Sequence, residues 1–283
     1  MTGLTSTRFS HLPQGYTSEQ LIQHYEIEKE LAARLRRADS SERRDLYTAL
    51  YDELFLRVPW HSQLRKKETG RNIPKQMRLL QPYLNADTVM LEVGAGDCAL
   101  SFEAAQQVKH VFALDVSNVI TQQKTFPKNM DLIISDGTSI PLPENSVDIA
   151  YSNQLMEHLH PEDALDQLKN IWRALKPGGV YICITPNRIS GPHDISRYFD
   201  DIACGFHLKE YTFSDLQEIF PQAGFSPLRV ITKIPGLPIL KIMPYLLLEK
   251  FLSSLPGKIR KVIAREWVIE RLLYIRLLAR KQA

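Results

Sequence analysis

A chain of 283 residues is long for one compact domain and short for two, so one large domain carrying an extension is expected. Hydrophobic residues make up 44% and charged residues 24%, with 13 Gly and 17 Pro, which excludes a disordered, collagen-like or low-complexity protein. The net charge of +3 conceals a split: residues 226–283 hold 12 Lys and Arg against 3 Asp and Glu, a net of +9, while residues 1–225 hold 23 against 29, a net of −6.

The three cysteines, Cys98, Cys183 and Cys204, form no CxxC pair, so neither a disulfide framework nor a zinc site is suggested, and no metal is expected. Met1 to Gly15 is polar and lacks the apolar core of a signal peptide. Ile234 to Leu255 is the most apolar stretch, but Lys241, Glu249, Lys250 and three prolines interrupt it, short of the ~18–20 uncharged apolar residues a transmembrane helix needs. A reducing cytoplasm is the expected compartment.

In chain order, Thr17-Ser18-Glu19-Gln20 reads as a capping box that starts a helix with Leu21, Tyr25, Leu31 and Leu35 on its apolar side. A second helix starts near Ser40 or Ser41, carries Tyr47, Leu50, Tyr51 and Leu54 on one face, and ends at Val58-Pro59. This pair is expected to serve as a surface cover, a homodimer contact or a lid over a ligand site. From Asp87 the pattern becomes short apolar runs alternating with amphipathic ones, the signature of βαβ units and a parallel sheet. Strands are predicted at Val89 to Val93, His110 to Asp115, Leu132 to Ser135, Val147 to Ser152, Val180 to Ile184 and Leu228 to Thr232, with helices between them. One helix runs from Pro161 to Leu175 and stops at Pro177-Gly178-Gly179; another is capped by Thr212 and closes at Gly224. Leu272 to Ala279 is compatible with a strand or a short helix.

The most informative segment is Leu91-Glu92-Val93-Gly94-Ala95-Gly96-Asp97-Cys98-Ala99, a strand running into a glycine turn and a helix. Glycines are needed where the backbone turns tightly and approaches a cofactor. Gly94, Gly96 and Ala99 also satisfy the dinucleotide pattern G-x-G-x-x-G/A, with Asp115 placed as a ribose-binding acid, so this motif alone does not separate NAD from other adenosine cofactors. Glu92 does: a carboxylate near the end of a buried strand calls for a cationic ligand, and S-adenosylmethionine carries a sulfonium and an ammonium, whereas the NAD pyrophosphate would be repelled. Ser135-Asp136-Gly137, Asn153 to His158 and Leu175 to Gly179 complete the set.

In order and spacing, these five motifs resemble the class I S-adenosylmethionine-dependent methyltransferases, in the branch that includes small-molecule and quinone methyltransferases. The resemblance covers about Gln81 to Phe225; Cys98 departs from it where many members have a third glycine. It implies an α/β, Rossmann-like, seven-stranded and mostly parallel sheet whose last strand, assigned to Leu272–Ala279, is antiparallel. The expected organisation is then a helical extension over 1–80, a methyltransferase core over 81–233, a basic helical insertion over 234–271, and a final strand and tail over 272–283. The resemblance further implies that Glu92, Gly94, Ala95, Gly96 and Asp97 hold the methionine end of S-adenosylmethionine, Asp115 the ribose, Asp136 and Gly137 the adenine with Val116 packed on it, and Asn153 the region near the sulfonium.

Methyl transfer needs an aligned acceptor and, for a hydroxyl, a base. Candidate bases are His193 and His207 in the long loop Thr185 to Tyr211, and His158 after the fourth strand. Asp194 and Tyr211 of that loop are assigned as acceptor contacts. The expected function is methyl transfer to a small molecule, with O-methylation preferred; a lipid or quinone methyltransferase at a membrane is the alternative, ahead of an NAD-dependent dehydrogenase or a non-catalytic cofactor-binding module. For the basic segment, a helical subdomain is favoured, then contact with an anionic membrane surface. Nucleic acid is disfavoured because aromatics are not interleaved with its basic residues.

Overall fold

The computed structural model describes residues 12–64, 72–121, 125–232 and 239–282. Residues 1–11, on which much of the polar N-terminal reading rests, and the prolines at 235 and 238 lie outside these ranges. Eight strands form one sheet in the order β3-β2-β1-β4-β5-β8-β6-β7. They are β1 (Val89–Val93), β2 (His110–Asp115), β3 (Met130–Ile134), β4 (Val147–Asn153), β5 (Leu175–Thr185), β6 (Phe225–Ile231), β7 (Ile239–Lys241) and β8 (Ile275–Lys281). Strands β1 to β5 pair in parallel, and β8 lies antiparallel between β5 and β6, with Ile182 opposite Leu278 and Val230 opposite Leu277.

The sheet is covered on both faces, as a parallel sheet requires. Alternate residues of each strand go to opposite cores: Leu91, Val93, Tyr181, Cys183, Leu277 and Ala279 to one, Met90, Val180, Ile182, Ile184 and Leu278 to the other. The first core is closed by α1 (Ser18–Arg37), α2 (Ser40–Arg57), α5 (Pro161–Ala174) and α6 (Phe213–Gln222), the second by α3 (Ile73–Leu80) and α4 (Ala99–Ala104). The three cysteines are free thiols.

The extension folds for legible reasons. Thr17 and Gln20 form the predicted capping box of α1, which buries Leu21, Tyr25, Leu31 and Leu35, each side chain worth roughly 1.5–3 kcal/mol. Asp39 caps α2 through Ser41 and Glu42. Two α2 side chains then fasten the extension to α5. Arg43 makes a bidentate pair with Asp163 at 2.6 and 2.8 Å, and the Tyr47 hydroxyl donates to Asp163 and accepts the His160 N–H, both at 2.8 Å.

The fold departs from the sequence expectations in three places. Among the described residues no helix separates β2 from β3 or β3 from β4; the second gap is only 12 residues long and contains Pro141 and Pro143. The final strand begins at Ile275, because Trp267–Leu273 winds into α9 and buries Leu273. An eighth strand, β7, extends the sheet beyond the seven expected by pairing antiparallel with β6. From β7 the chain enters α7 (Met243–Ser254), α8 (Gly257–Arg265) and α9 (Trp267–Leu273) before returning as β8. No helix of the described residues is long and apolar enough to cross a membrane.

Candidate active site

After β1 the backbone turns on three left-handed residues, Gly94 (φ 74°), Gly96 (φ 53°) and Cys98 (φ 58°). Cys98 thus adopts a left-handed conformation that favours glycine, at the position where many members of the resembled family have one. At Gly94 a Cβ would lie 2.9 Å from a Leu155 methyl, so the close approach also requires glycine. The turn is tied to β2: Gly94 and Ala95 N–H donate to the Leu114 carbonyl, and the Asp115 carboxylate accepts from Gly96, Val116 and Ser117 N–H at 2.7, 2.8 and 3.1 Å. Burial holds the Asp115 carboxyl above its ordinary range, a rise that these three N–H groups offset only in part.

The turn borders two adjoining cavities at the C-terminal strand ends, the place where open α/β sheets bind ligands. The larger, about 320 Å³, is lined by Gly94, Gly96, Asp115, Val116, Gly137 and Asn153, with Tyr47, Tyr51 and Phe55 of α2 over them. The smaller, about 230 Å³, is lined by Glu92, Ala95 and Asp97 and shares Gly94, Gly96 and Asn153. Nine of the ten predicted cofactor residues are thus gathered around one trough. Asp136 is the exception: its carboxylate accepts the N–H and hydroxyl groups of both Thr138 and Ser139, so its oxygens organise the loop after β3. Asp97 has a second task, accepting Ala99 N–H at the start of α4.

Glu92 is 6% exposed, and the Ser101 hydroxyl donates to it at 2.5 Å. Burial, reinforced by the charges of Asp97 and Asp115, pushes its carboxyl up to about 8, so in the free protein the group is largely protonated at neutral pH. A cation placed in the smaller cavity would draw that proton off and give the buried acid its counter-charge. A buried, under-partnered acid beside a positive-φ glycine turn, with a second acid at the end of β2, fits the cationic methionine end and ribose of S-adenosylmethionine.

A third cavity, about 770 Å³, opens beside the first and shares Tyr51, Gln63 and His158 with it. Its walls come from α1, α2 and the 186–211 loop, and it collects five histidines: His24, His61, His158, His193 and His207. His207 Nδ1 donates to Glu210 Oε1 at 2.8 Å, leaving Nε2 as the acceptor nitrogen, and Glu210 also accepts the His193 N–H at 2.6 Å. A Cβ at Gly191 would meet Glu210 Oε2, so a larger residue there would displace that carboxylate. His158 Nδ1 donates to the Phe206 carbonyl at 3.1 Å, and its ring meets that of His207 edge to face at 4.8 Å. Burial pushes His158 down to about 3 and His207 to about 4, so both are neutral imidazoles at physiological pH.

The other predicted acceptor residues are placed differently. His193 lines the cavity with its Nε2 on the Asn187 carbonyl and the Ser190 hydroxyl. Asp194 also lines it, but its carboxylate accepts Ser196 and Gly205 N–H and so shapes the loop rather than orienting His193. Tyr211 is fully buried in the first core, away from the cavity, because its ring packs among apolar side chains at the loop's end. Sequence reasoning missed Glu210, and it missed a network on the extension: His24 Nε2 meets Glu28 Oε1 at 2.7 Å, Tyr16 hydroxyl meets His24 Nδ1 at 3.0 Å, and Phe206 N–H donates to Glu28. Burial alone would raise Glu28, but the bond to His24, the charges of His24 and His61, and the Phe206 N–H outweigh it and hold the carboxyl below its ordinary range. The His24/Glu28 spacing of four on one helix was the available signal.

The strand order around β1, the glycine turn and the acid at the end of β2 define a domain built to hold a nucleoside cofactor. Residues 91–183 match the family described as a methyltransferase domain. A Mycolicibacterium smegmatis protein named a probable S-adenosylmethionine-dependent methyltransferase is 31% identical over 138 residues, covering 48% of this chain and 51% of its own. A Listeria welshimeri demethylmenaquinone methyltransferase is 28% identical, covering 64% of this chain and 82% of its own. A solved complex of the Haloferax volcanii Trm112 methyltransferase activator with a methyltransferase matches in fold at TM-score 0.54 and 16% identity, over 76% of this chain and 92% of the other. Residues 91–183 are thus similar in sequence to S-adenosylmethionine-dependent methyltransferase domains, and the whole sheet is similar to them in fold. The chain spans about half the length of the Mycolicibacterium relative.

Proposed function

We propose that the protein moves a methyl group from S-adenosylmethionine to a hydroxyl of a small acceptor bound in the histidine-lined cavity, with His207 as general base. When bound, the cofactor supplies a methyl group activated by its sulfonium. Glu92, Ala95, Asp97 and the glycine turn hold the methionine end, Asp115 the ribose hydroxyls, Val116 and Gly137 the adenine side, and Asn153 the ground between the two cofactor cavities. Asp136 shapes the loop after β3 through Thr138 and Ser139.

The observation that carries the reading is a neutral, carboxylate-oriented imidazole in a cavity that adjoins the cofactor trough at His158, Tyr51 and Gln63. Neutral His207 accepts the hydroxyl proton at Nε2, and Glu210, hydrogen-bonded to Nδ1, stabilises the imidazolium that results. His158 is a positioning residue between the cavities, and His193 holds the loop. The extension supplies one wall of the cavity.

A second reading, an apolar acceptor such as a quinol met at a membrane, is favoured by the exposed apolar side chains of α7 to α9 and by the relative named as a demethylmenaquinone methyltransferase. Calorimetry with S-adenosylmethionine and with NADH tests the cofactor assignment; tight NADH binding with no response to S-adenosylmethionine would overturn it. Transfer of labelled methyl into a panel of hydroxyl, amine and quinol acceptors then decides among acceptor classes.

A further inference from the structure

Eight large apolar side chains between Ile239 and Val268 are 43% to 69% exposed, whereas the rest of the described residues expose four. Met243, Leu247 and Phe251 recur at every fourth position of α7 and form one outward stripe; Ile259 and Val262, three apart, are exposed on α8, and the adjacent Trp267 and Val268 on α9. The inner sides of the same helices bury Tyr245, Leu252, Ala264 and Leu273. A helical layer that only covered the core would need one apolar side; these helices have two. Exposed Lys241, Lys250, Lys258 and Arg271 accompany the outward stripe, and Arg271 stacks on the Trp267 ring at 5.5 Å.

The inner side of α7 is fastened to the acceptor loop. Glu249, buried, accepts from Asn187 Nδ2 at 2.7 Å and from the Phe213 and Ser214 N–H groups that open α6. The Asn187 carbonyl receives His193 Nε2, His193 N–H donates to Glu210, and Glu210 holds His207. Arg265 of α8 donates to the Gly191 carbonyl of the same loop.

We infer that α7 to α9 dock on an anionic lipid surface, and that docking is transmitted to the acceptor loop through Glu249 and Asn187. Aliphatic side chains, one tryptophan and lysines on the exposed sides of α7 to α9 are the chemistry of helices lying in the headgroup region of an anionic bilayer. A second copy would bring two basic faces together, and single-stranded RNA would want more stacking aromatics than Phe251 and Trp267. The inference deepens the transferase reading and rests on it for the meaning of the loop; lipid docking itself does not depend on methyl transfer.

The test is co-sedimentation of the full chain with vesicles of phosphatidylcholine alone and of phosphatidylcholine mixed with phosphatidylglycerol. Binding to the mixed vesicles, weakened by salt and reduced about tenfold by the surface double substitution Leu247→Glu with Phe251→Glu, is expected, together with a blue shift of Trp267 emission. Hydrogen exchange within residues 186–211 should slow on vesicle binding in the unsubstituted chain, and Asn187→Ala should abolish that response while leaving vesicle binding in place. No sedimentation, sedimentation indifferent to the double substitution, retention on an RNA homopolymer instead of vesicles, or a dimer that the double substitution dissolves would each overturn lipid docking. Vesicle binding with unchanged loop exchange would overturn the coupling. Both effects without any S-adenosylmethionine binding would leave this inference standing and remove the transferase reading.

Discussion

His207 Nδ1 and Glu210 Oε1 lie 2.8 Å apart with both residues buried, and the same Glu210 oxygen holds the His193 backbone. A base in such a setting acts on the chemical step. Replacing His207 with Ala should lower kcat for a hydroxyl acceptor by about 10²–10⁴ with KM little changed, and Glu210→Gln should give a smaller loss. Because burial holds His207 near 4, the acid limb of the kcat/KM profile should fall near that value, well below the 6.5 of an ordinary histidine. Activity indifferent to both substitutions points to an amine acceptor, which needs no base from the protein.

Cofactor affinity should depend on the Glu92 proton. With the carboxyl near 8 in the free chain, binding a cation requires the proton to leave, so affinity for S-adenosylmethionine should rise as pH increases toward and through 8. Calorimetry in buffers of different ionisation enthalpy should register proton release of up to one equivalent at neutral pH. Glu92→Gln should weaken binding and flatten this dependence; a flat profile in the unsubstituted chain would remove Glu92 from the cation's surroundings.

Asp115→Ala should weaken S-adenosylmethionine binding by about 10²-fold or more, as expected for losing two hydrogen bonds to a charged group at about 1.5–3 kcal/mol each. The side chain also accepts three backbone N–H groups, so near-ultraviolet circular dichroism of the variant is needed to separate a lost ligand contact from a loosened turn.

Stability should fall on both sides of a mildly acidic plateau. Glu92 and Glu157 are raised by burial to about 8 from 4.5, so the folded chain keeps protons that the unfolded chain has lost, and stability declines as pH rises toward 8. His158 and His207 are lowered from 6.5 to about 3 and about 4, so below 6.5 the unfolded chain takes up protons the fold refuses, and stability declines as pH falls. Between 4.5 and 6.5 the two pairs oppose each other. Above 6.5 each carboxyl contributes a slope of about 1.4 kcal/mol per pH unit, so Glu157→Gln should halve the alkaline decline in a denaturant titration series.

Tyr47→Phe removes a hydroxyl that donates to Asp163 and accepts the His160 N–H, and should cost about 1–3 kcal/mol by leaving buried partners unmatched. Guanidinium unfolding measures it. Its ring also closes on Gly137, so loss of the whole ring in Tyr47→Ala should weaken cofactor binding as well, whereas Tyr47→Phe should not.

The parts of this molecule that are local in sequence could be read from it. The capping box at Thr17, the apolar runs of β1 to β6 and the turn at Gly94 and Gly96 announce themselves within a few residues, because propensity and periodicity act over one or two turns. What escaped depends on distant neighbours. Glu28 meets Phe206 across 178 residues. Asp136 reads as a ligand because of its place after a strand, yet its carboxylate also ties down Thr138 and Ser139, and Tyr211 is buried in the first core. The outward stripe of α7 was visible as clustered leucines, but only the packing of Tyr245 and Leu252 shows which leucines are left outside.

Of the residues that line the histidine-rich cavity, His158 alone falls within 91–183, the stretch matched to the methyltransferase family; the others come from the N-terminal extension and from the loop after β5. On the proposed reading, cofactor and acceptor are therefore held by separate portions of the chain. Relatives that align well over the sheet can differ completely in what they methylate, while exchange of the extension together with the 186–211 loop should carry acceptor preference from one scaffold to another.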